Sequence, residues 1–279
     1  MSHRTELERH RSKLGEIRDI MGSMKILAYM ETRKLSRFIE SQHRLVNDIQ
    51  AMAGDFLQFY PAVLPTIETT VNIILVTGSQ RGFCGDFNER LVSQLQPALV
   101  EHKIDDAILI AVGQKLHILL EKLPYKLLYV DGTNIAEEAS NTVEQIAQTL
   151  SLNKNTLLSF YAFHHSADEN NIIFEKLLPP SFPPATADNN TFKNSPLLNL
   201  EPEVFFLKLI DQYLFSILHR IVFSSLLAEN QLRIQHLERA VNHLDEKMNQ
   251  LILKGNALRQ EEIIEEIEVI LLNTSAAKF

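Results

Sequence analysis

Both ends of this chain are free of helix breakers over stretches too long for the helices of a compact domain. No proline occurs before Pro61. With Leu14 as position a of a heptad, the a and d positions are Leu14, Ile17, Met21, Met24, Ala28, Glu31, Leu35, Phe38, Gln42, Leu45, Ile49, Met52, Phe56 and Phe59. Only Glu31 and Gln42 interrupt the apolar stripe, and a seam sustained this long predicts a coiled coil. Pro61 and Pro65 stop the helix, because proline lacks the amide donor and clashes with the preceding turn.

The far end repeats the pattern. From Glu203 to Asn273 there is no proline and a single glycine, Gly255. A stripe runs through Ile234, Leu237, Val241, Leu244, Met248 and Leu251, breaks at Gly255 and resumes at Leu258. Two phase slips are expected. An earlier stripe, Leu207, Ile210, Leu214, Ile217 and Ile221, is one residue out of step, and a later one follows at Ile264, Ile267 and Leu271; such slips alter the local winding of a helix pair. Roughly 70 helical residues extend about 105 Å at 1.5 Å per residue. Each seam needs a partner, and the nearest is the other, so an antiparallel coiled coil of the two termini is expected.

The middle alternates in type. Val71–Thr77, Ala107–Val112, Tyr125–Val130, Thr156–Ala162 and Asn171–Leu178 read as strands. Phe87–His102, Gln114–Lys122 and an Asn134-capped stretch to Leu150 read as helices. Alternation implies a parallel sheet with helices on both faces. The expected fold class is α+α/β: a coiled coil carrying a small Rossmann-like α/β domain. Its boundaries are 1–60 for the first helix, 70–178 for the α/β domain, 179–202 for a proline-rich linker and 203–274 for the last helix.

Several function classes are disfavoured. The net charge of −8 argues against a dedicated nucleic-acid binder, which needs a basic surface. A single cysteine, Cys84, excludes an internal disulfide and fits a reducing compartment. The charged N-terminus has no signal-peptide apolar region, and no apolar run of about 18 residues is present to span a bilayer. The first strand-to-helix turn, Thr77 to Asn88, carries Gly78, Gly82 and Gly85, which is neither the dinucleotide fingerprint nor a Walker loop. Asp86 would repel a pyrophosphate there. No nucleotide, other cofactor or metal is expected. A nucleophilic Cys84 served by His164 or His165 is a weaker reading than a small buried hydrophobe. His164 and His165 point to opposite faces of a strand and make a poor metal pair. Glu261, Glu262, Glu265 and Glu266 read as an outer, solvated or partner-facing helix surface.

The stretch Ile74-Leu-Val-Thr-Gly-Ser-Gln-Arg-Gly-Phe-Cys-Gly-Asp-Phe-Asn88 resembles the signature of the gamma subunit of F-type ATP synthases. The positions that match are Arg81, Gly82, Cys84, Gly85 and Asn88, while Gln80 stands for the family's Asp and Asp86 for a Gly. Ile20 to Ala28 followed by Arg33-Lys34 is similar to the family's N-terminal segment, with Gly22 in place of its lysine. Ala228-Glu229-x-x-x-Arg233, the run Asn256 to Ile267, and Lys176-Leu-Leu-Pro179 resemble further family stretches. The departures suggest a divergent branch, of the kind an alternative, second ATP synthase would contribute.

The resemblance implies a central-stalk rotor without a catalytic site of its own, standing in an α3β3 ring of α and β subunits. It would meet an epsilon subunit and a membrane c-ring, and touch the membrane only through partners, on the cytoplasmic face of a bacterial plasma membrane. By the same resemblance Arg259 and Gln260 hydrogen-bond a β-subunit loop, Met24 and Lys25 lie near the β lever, and Arg81 to Asn88 form a structural turn. Two other readings stand beside it: a non-rotary coiled-coil adaptor with an α/β head, which would self-associate, and a small hydrolase or transferase with a polar pocket near Gly82 and Cys84.

Overall fold

The computed structural model describes residues 3–63, 71–151, 158–167, 171–182 and 195–276. The elements in chain order are α1 (His3–Phe59), β1 (Val71–Thr77), α2 (Phe87–Glu101), β2 (Ile108–Val112), α3 (Gln114–Leu120), β3 (Lys126–Val130), α4 (Ala139–Ser151), β4 (Leu158–His165), β5 (Ile172–Leu178) and α5 (Pro202–Ala276). Thr156 and Leu157, read as the start of a strand, and residues 183–194 of the expected linker lie outside the described residues.

The chain divides into two compact units, one of residues 1–28 with 234–279, the other of residues 29–233. The larger unit holds a five-stranded sheet in the order β3-β2-β1-β4-β5. Strands β1 to β4 pair in parallel, whereas β5 runs antiparallel to β4. The all-parallel expectation fails at β5 for a simple reason. Only 166–171 join β4 to β5, and a parallel return needs a crossover of a dozen or more residues.

Side chains alternate along each strand, so the sheet feeds two cores. Ile73 and Leu75 of β1 and Ile110 and Val112 of β2 pack with α4, α1 and α5. Ile74, Val76, Leu109 and Ala111 point the other way, onto Phe87, Leu91 and Leu95 of α2 and Leu116 of α3. Along α5 the residues from Ser216 to Asn230 are buried all round except for the half-buried Arg220. This stretch lies between α1 and the sheet. Stacking of Phe38 on Phe223, and of Phe56 on Phe206 further along, shows α1 and α5 running antiparallel here. Asn134 is not a side-chain cap. Its amides donate to Glu138 Oε2 at 3.0 and 3.4 Å, and a 3-10 turn over Ala136–Glu138 precedes α4.

The seam of α1 in this unit differs from the heptad drawn through Leu14. Leu35, Ile39, Val46, Ile49, Ala53 and Phe56 are buried, while Phe38, Leu45 and Met52 are exposed at 40 to 54%. At Phe38, Leu45 and Met52 the predicted d position has moved one residue onward, to Ile39, Val46 and Ala53. A 3.6-residue period leaves neighbouring stripes of similar apolarity, and the sheet and α5 select between them. At the start of α5, Phe206 and Tyr213 are buried and the predicted Leu207 is 63% exposed.

In the smaller unit the two helices also run antiparallel. Arg18 faces Asp245 at 3.6 Å and Lys25 faces Glu238 at 3.7 Å, so position rises along one helix as it falls along the other. The half-buried stripe Leu251, Gly255, Leu258 and Glu262 keeps its spacing through the position of the expected second slip. Ile264, Ile267 and Leu271 remain exposed and start no new seam. Glu262 is thus half-buried and not on the outer surface with Glu261, Glu265 and Glu266.

Candidate functional site

In a doubly wound sheet, ligands bind outside the carboxyl ends of the strands where the strand order reverses. Here that crevice lies between β1 and β4, and α5 fills it. Ser225 Oγ donates to the carbonyl of Thr77 at 3.2 Å, and Ser224 Oγ donates to the carbonyl of His165 at 3.3 Å. Ser224 Oγ also accepts from the Ala167 amide at 3.0 Å. The two strand ends that would flank a ligand are therefore bound to consecutive serines of one helix.

The turn after β1 closes over the same helix. Asn88 Oδ1 accepts from the Ser79 amide at 3.0 Å and Asn88 Nδ2 donates to Ser79 Oγ at 2.8 Å, tying the start of α2 to the strand end. Phe83 and Gly85 take positive φ, 65° and 64°, the left-handed conformation a sharp reversal requires. The bend turns the carbonyls of Arg81 and Gly82 toward α5, where Arg233 Nε donates to Gly82 O at 3.3 Å and Nη2 to Arg81 O at 3.5 Å. The guanidinium also binds Asn230 Oδ1 at 3.1 Å and forms a short ion pair with Glu229 Oε1. Burial pushes the Glu229 carboxyl up to about 7, against the pull of Arg233.

Cys84 sits inside this turn, 4% exposed and 3.4 Å from Ser79 Oγ. Burial raises its thiol above the ordinary value, against the lowering from Ser79. A thiol held in its neutral form is a poor nucleophile, which favours the small buried hydrophobe at Cys84. His165 Nε2 donates to the carbonyl of Phe87 at 2.9 Å, and burial drives the imidazole down to about 4, so it is neutral. His164 turns the other way, to Glu175 at 3.0 Å. Arg220 of α5 completes that group, with Nη2 at 2.7 and 2.6 Å from the two oxygens of Glu175. Burial alone would raise the Glu175 carboxyl, but the hydrogen bond from His164 and the charge of Arg220 outweigh it and hold it below its ordinary value.

Gln80, the family's Asp position, also has a task. Its Oε1 accepts from the Gln114 amide at 3.0 Å and from the Gly132 amide at 2.9 Å, capping α3 and pinning the loop after β3. Gly113, between them, holds a φ of +98°, and a Cβ there would fall 2.6 Å from Ser79 O.

The remaining positions singled out from sequence lie on the smaller unit. Met24 and Lys25 are half-buried on α1, with Lys25 paired to Glu238. Arg259 and Gln260 are exposed on α5, and Arg259 lines a shallow groove with Leu7, Arg11 and Asn256. The helices keep the two sets apart. Sequence reasoning missed Ser79, Glu175, Arg220, Ser224, Ser225 and Asn230. The one available signal was Arg220, a charge set inside the apolar stripe between Ile217 and Ile221. Among the described residues no group of side chains is arranged to hold a metal, and no helix is long and apolar enough to cross a membrane.

A sheet whose ligand crevice is occupied by its own chain, carried on helices of 57 and 75 residues, defines a mechanical or assembly element. A sequence profile described as ATP synthase matches residues 4–276, and the chain belongs to that family. It is 27% identical over 274 residues to the ATP synthase gamma chain of Mycoplasma capricolum, covering 93% of each chain. With the ATP synthase gamma chain of Clostridium botulinum (strain Hall) it shares 22% over 282 residues, covering 98% of this chain and 97% of that one. Its fold is similar to a chain in the rotor of Euglena gracilis mitochondrial ATP synthase, with a TM-score of 0.63 at 15% identity, covering 93% and 98%. A chain in the central stalk and c-ring structure of the Tetrahymena thermophila enzyme gives 0.56 at 14%, covering 79% and 99%.

Proposed function

We propose that this chain is the gamma-type central stalk of a rotary ATP synthase, linking rotation driven by ion flow to nucleotide affinity in a surrounding α3β3 ring. The observation that carries this reading is the smaller unit, in which Ala28 and Leu237 are the buried hydrophobic residues among those described. Ile20, Ile26, Leu27, Leu253, Ile263, Ile264, Ile267, Val269, Ile270 and Leu271 are exposed at 46 to 69%. A helix pair this apolar on its outside is built to be enclosed by other chains.

The mechanism is mechanical. Each catalytic site lies on the ring and meets a different face of the helix pair, so its affinity depends on the angle of the shaft; torque and binding free energy are then linked reciprocally. Within this chain, the sheet grips α5 at Arg220 through Glu175 and at Arg233 through Arg81 and Gly82, and the helix between them is enclosed. Twisting there would break charged, desolvated contacts, so the segment transmits torque without slipping. Arg259 and Gln260, exposed on α5, suit hydrogen bonding to a β subunit, where an Arg fork matches a carboxylate. Met24 and Lys25 face the lever of a β subunit, and the turn Arg81 to Asn88 acts as an anchor. The α/β unit meets an epsilon subunit and the c-ring, which bring the chain to the cytoplasmic face of a bacterial plasma membrane as a peripheral component. Its place is the main enzyme or an alternative, second one.

Co-expression with α and β subunits tests the proposal. One copy of this chain is expected per three β. A stable homodimer with no affinity for α3β3 would support the adaptor reading instead.

A further inference from the structure

Beside the filled crevice a small cavity of mixed polar and apolar lining remains, with Val112 and Val222 on its apolar side. Its volume is about 10 Å³, and its lining includes Thr77, Gly78, Thr133, Ser225, Leu226 and Glu229. Thr77 is 2% exposed, and its hydroxyl has no hydrogen-bond partner among the protein's groups. A buried hydroxyl left unpaired costs about 1–3 kcal/mol. A site of roughly 10–15 Å³ with two to four polar partners holds one water.

We propose that this cavity is a binding site for a single ordered water that bridges Thr77 of β1 and Glu229 of α5. Three groups serve it. The Thr77 hydroxyl donates to the water oxygen. Arg233 takes Glu229 Oε1, so Oε2 of the same carboxylate accepts one water proton. Ser225 Oγ, which spends its own proton on the Thr77 carbonyl, accepts the other. The water thus satisfies the orphaned hydroxyl and adds an acid-facing donor where burial disfavours the carboxylate. It also makes a polar link between the central strand and α5, beside the direct bond of Ser225.

The sign of one substitution separates a wet cavity from a dry one. In Thr77→Val the methyl replaces the hydroxyl at nearly constant shape. If the water is present, the variant removes one of its partners and the midpoint of thermal unfolding of the full chain falls by about 2–4 °C. If the cavity is dry, the variant removes an unsatisfied group and the midpoint rises. Thr77→Ser keeps the hydroxyl and should retain both the water and most of the stability. A crystal structure of the full chain, at a resolution that shows its other ordered waters, is expected to place density within hydrogen-bonding distance of Thr77 Oγ1 and Glu229. Absence of that density, or a raised midpoint for Thr77→Val, overturns the assignment.

Discussion

The guanidinium of Arg233 donates through Nε to the carbonyl of Gly82 at 3.3 Å, across 151 positions of sequence. Two stretches that sequence alone treats as separate, the turn after β1 and the middle of α5, are thereby one structure. Arg233 suits the position because a planar guanidinium reaches Glu229, Asn230 and two carbonyls at once, whereas a lysine ammonium is a point charge on a flexible stem.

Arg233→Met should destabilise the chain by about 1–3 kcal/mol, because the Glu229 carboxyl, already pushed up to about 7 beside Arg233, takes up a proton and is left buried without its partner. Arg233→Lys should recover only part of that loss. Glu229→Leu combined with Arg233→Met should be milder than Arg233→Met alone, since no buried carboxyl is left without a partner. Urea unfolding of these variants and of Glu229→Leu alone measures this, and additive losses would show that the pair does not act as a unit.

Acid stability should depend on His165. Its folded value of about 4 lies below the ordinary 6.5, so the unfolded chain takes up the proton first. The contribution is complete above pH 6.5 and is lost as pH falls toward 4, amounting to about 3 kcal/mol for a gap of this size. His165→Asn should flatten that part of the stability–pH curve. Identical slopes for the two proteins between pH 6.5 and 4 would mean that His165 is not held neutral.

Gln80→Ala should cost about 1–2 kcal/mol, since one side-chain oxygen serves the amides of both Gln114 and Gly132. Amide exchange at those two sites should speed up more than exchange in the sheet centre. Equal protection in both proteins would assign the cap elsewhere.

Ile267→Ser with Ile270→Ser and Leu271→Ser should leave the stability of the isolated chain within about 0.5 kcal/mol, because surface positions carry little of it. Assembly with α and β subunits should weaken at least tenfold. Undiminished assembly would remove the exposed apolar tip from the interface.

Arg259→Ala with Gln260→Ala should likewise leave the fold intact. In a reconstituted complex it should lower the yield of assembled enzyme or the coupling of hydrolysis to ion transport. Unchanged coupling would count against a β-subunit contact at these two residues.

Much of the architecture was legible in local sequence. The β-branched runs around Ile73 to Val76 and Ile108 to Val112 specify buried strands, since alternate side chains must satisfy a core on each face. The absence of proline along α1 and α5 permits unbroken helices, and the opposed numbering of Lys25 and Glu238 follows once the two seams pair. What the amino-acid order left open was which of two adjacent stripes on α1 turns inward, because Phe38 and Ile39 are nearly equivalent to a 3.6-residue period. It also left open that β5 returns antiparallel, that Ser224 and Ser225 enter the crevice, and that Arg233 reaches Gly82. Those outcomes depend on surfaces brought together from distant parts of the chain, where the energy of a contact exists only after both partners are in place.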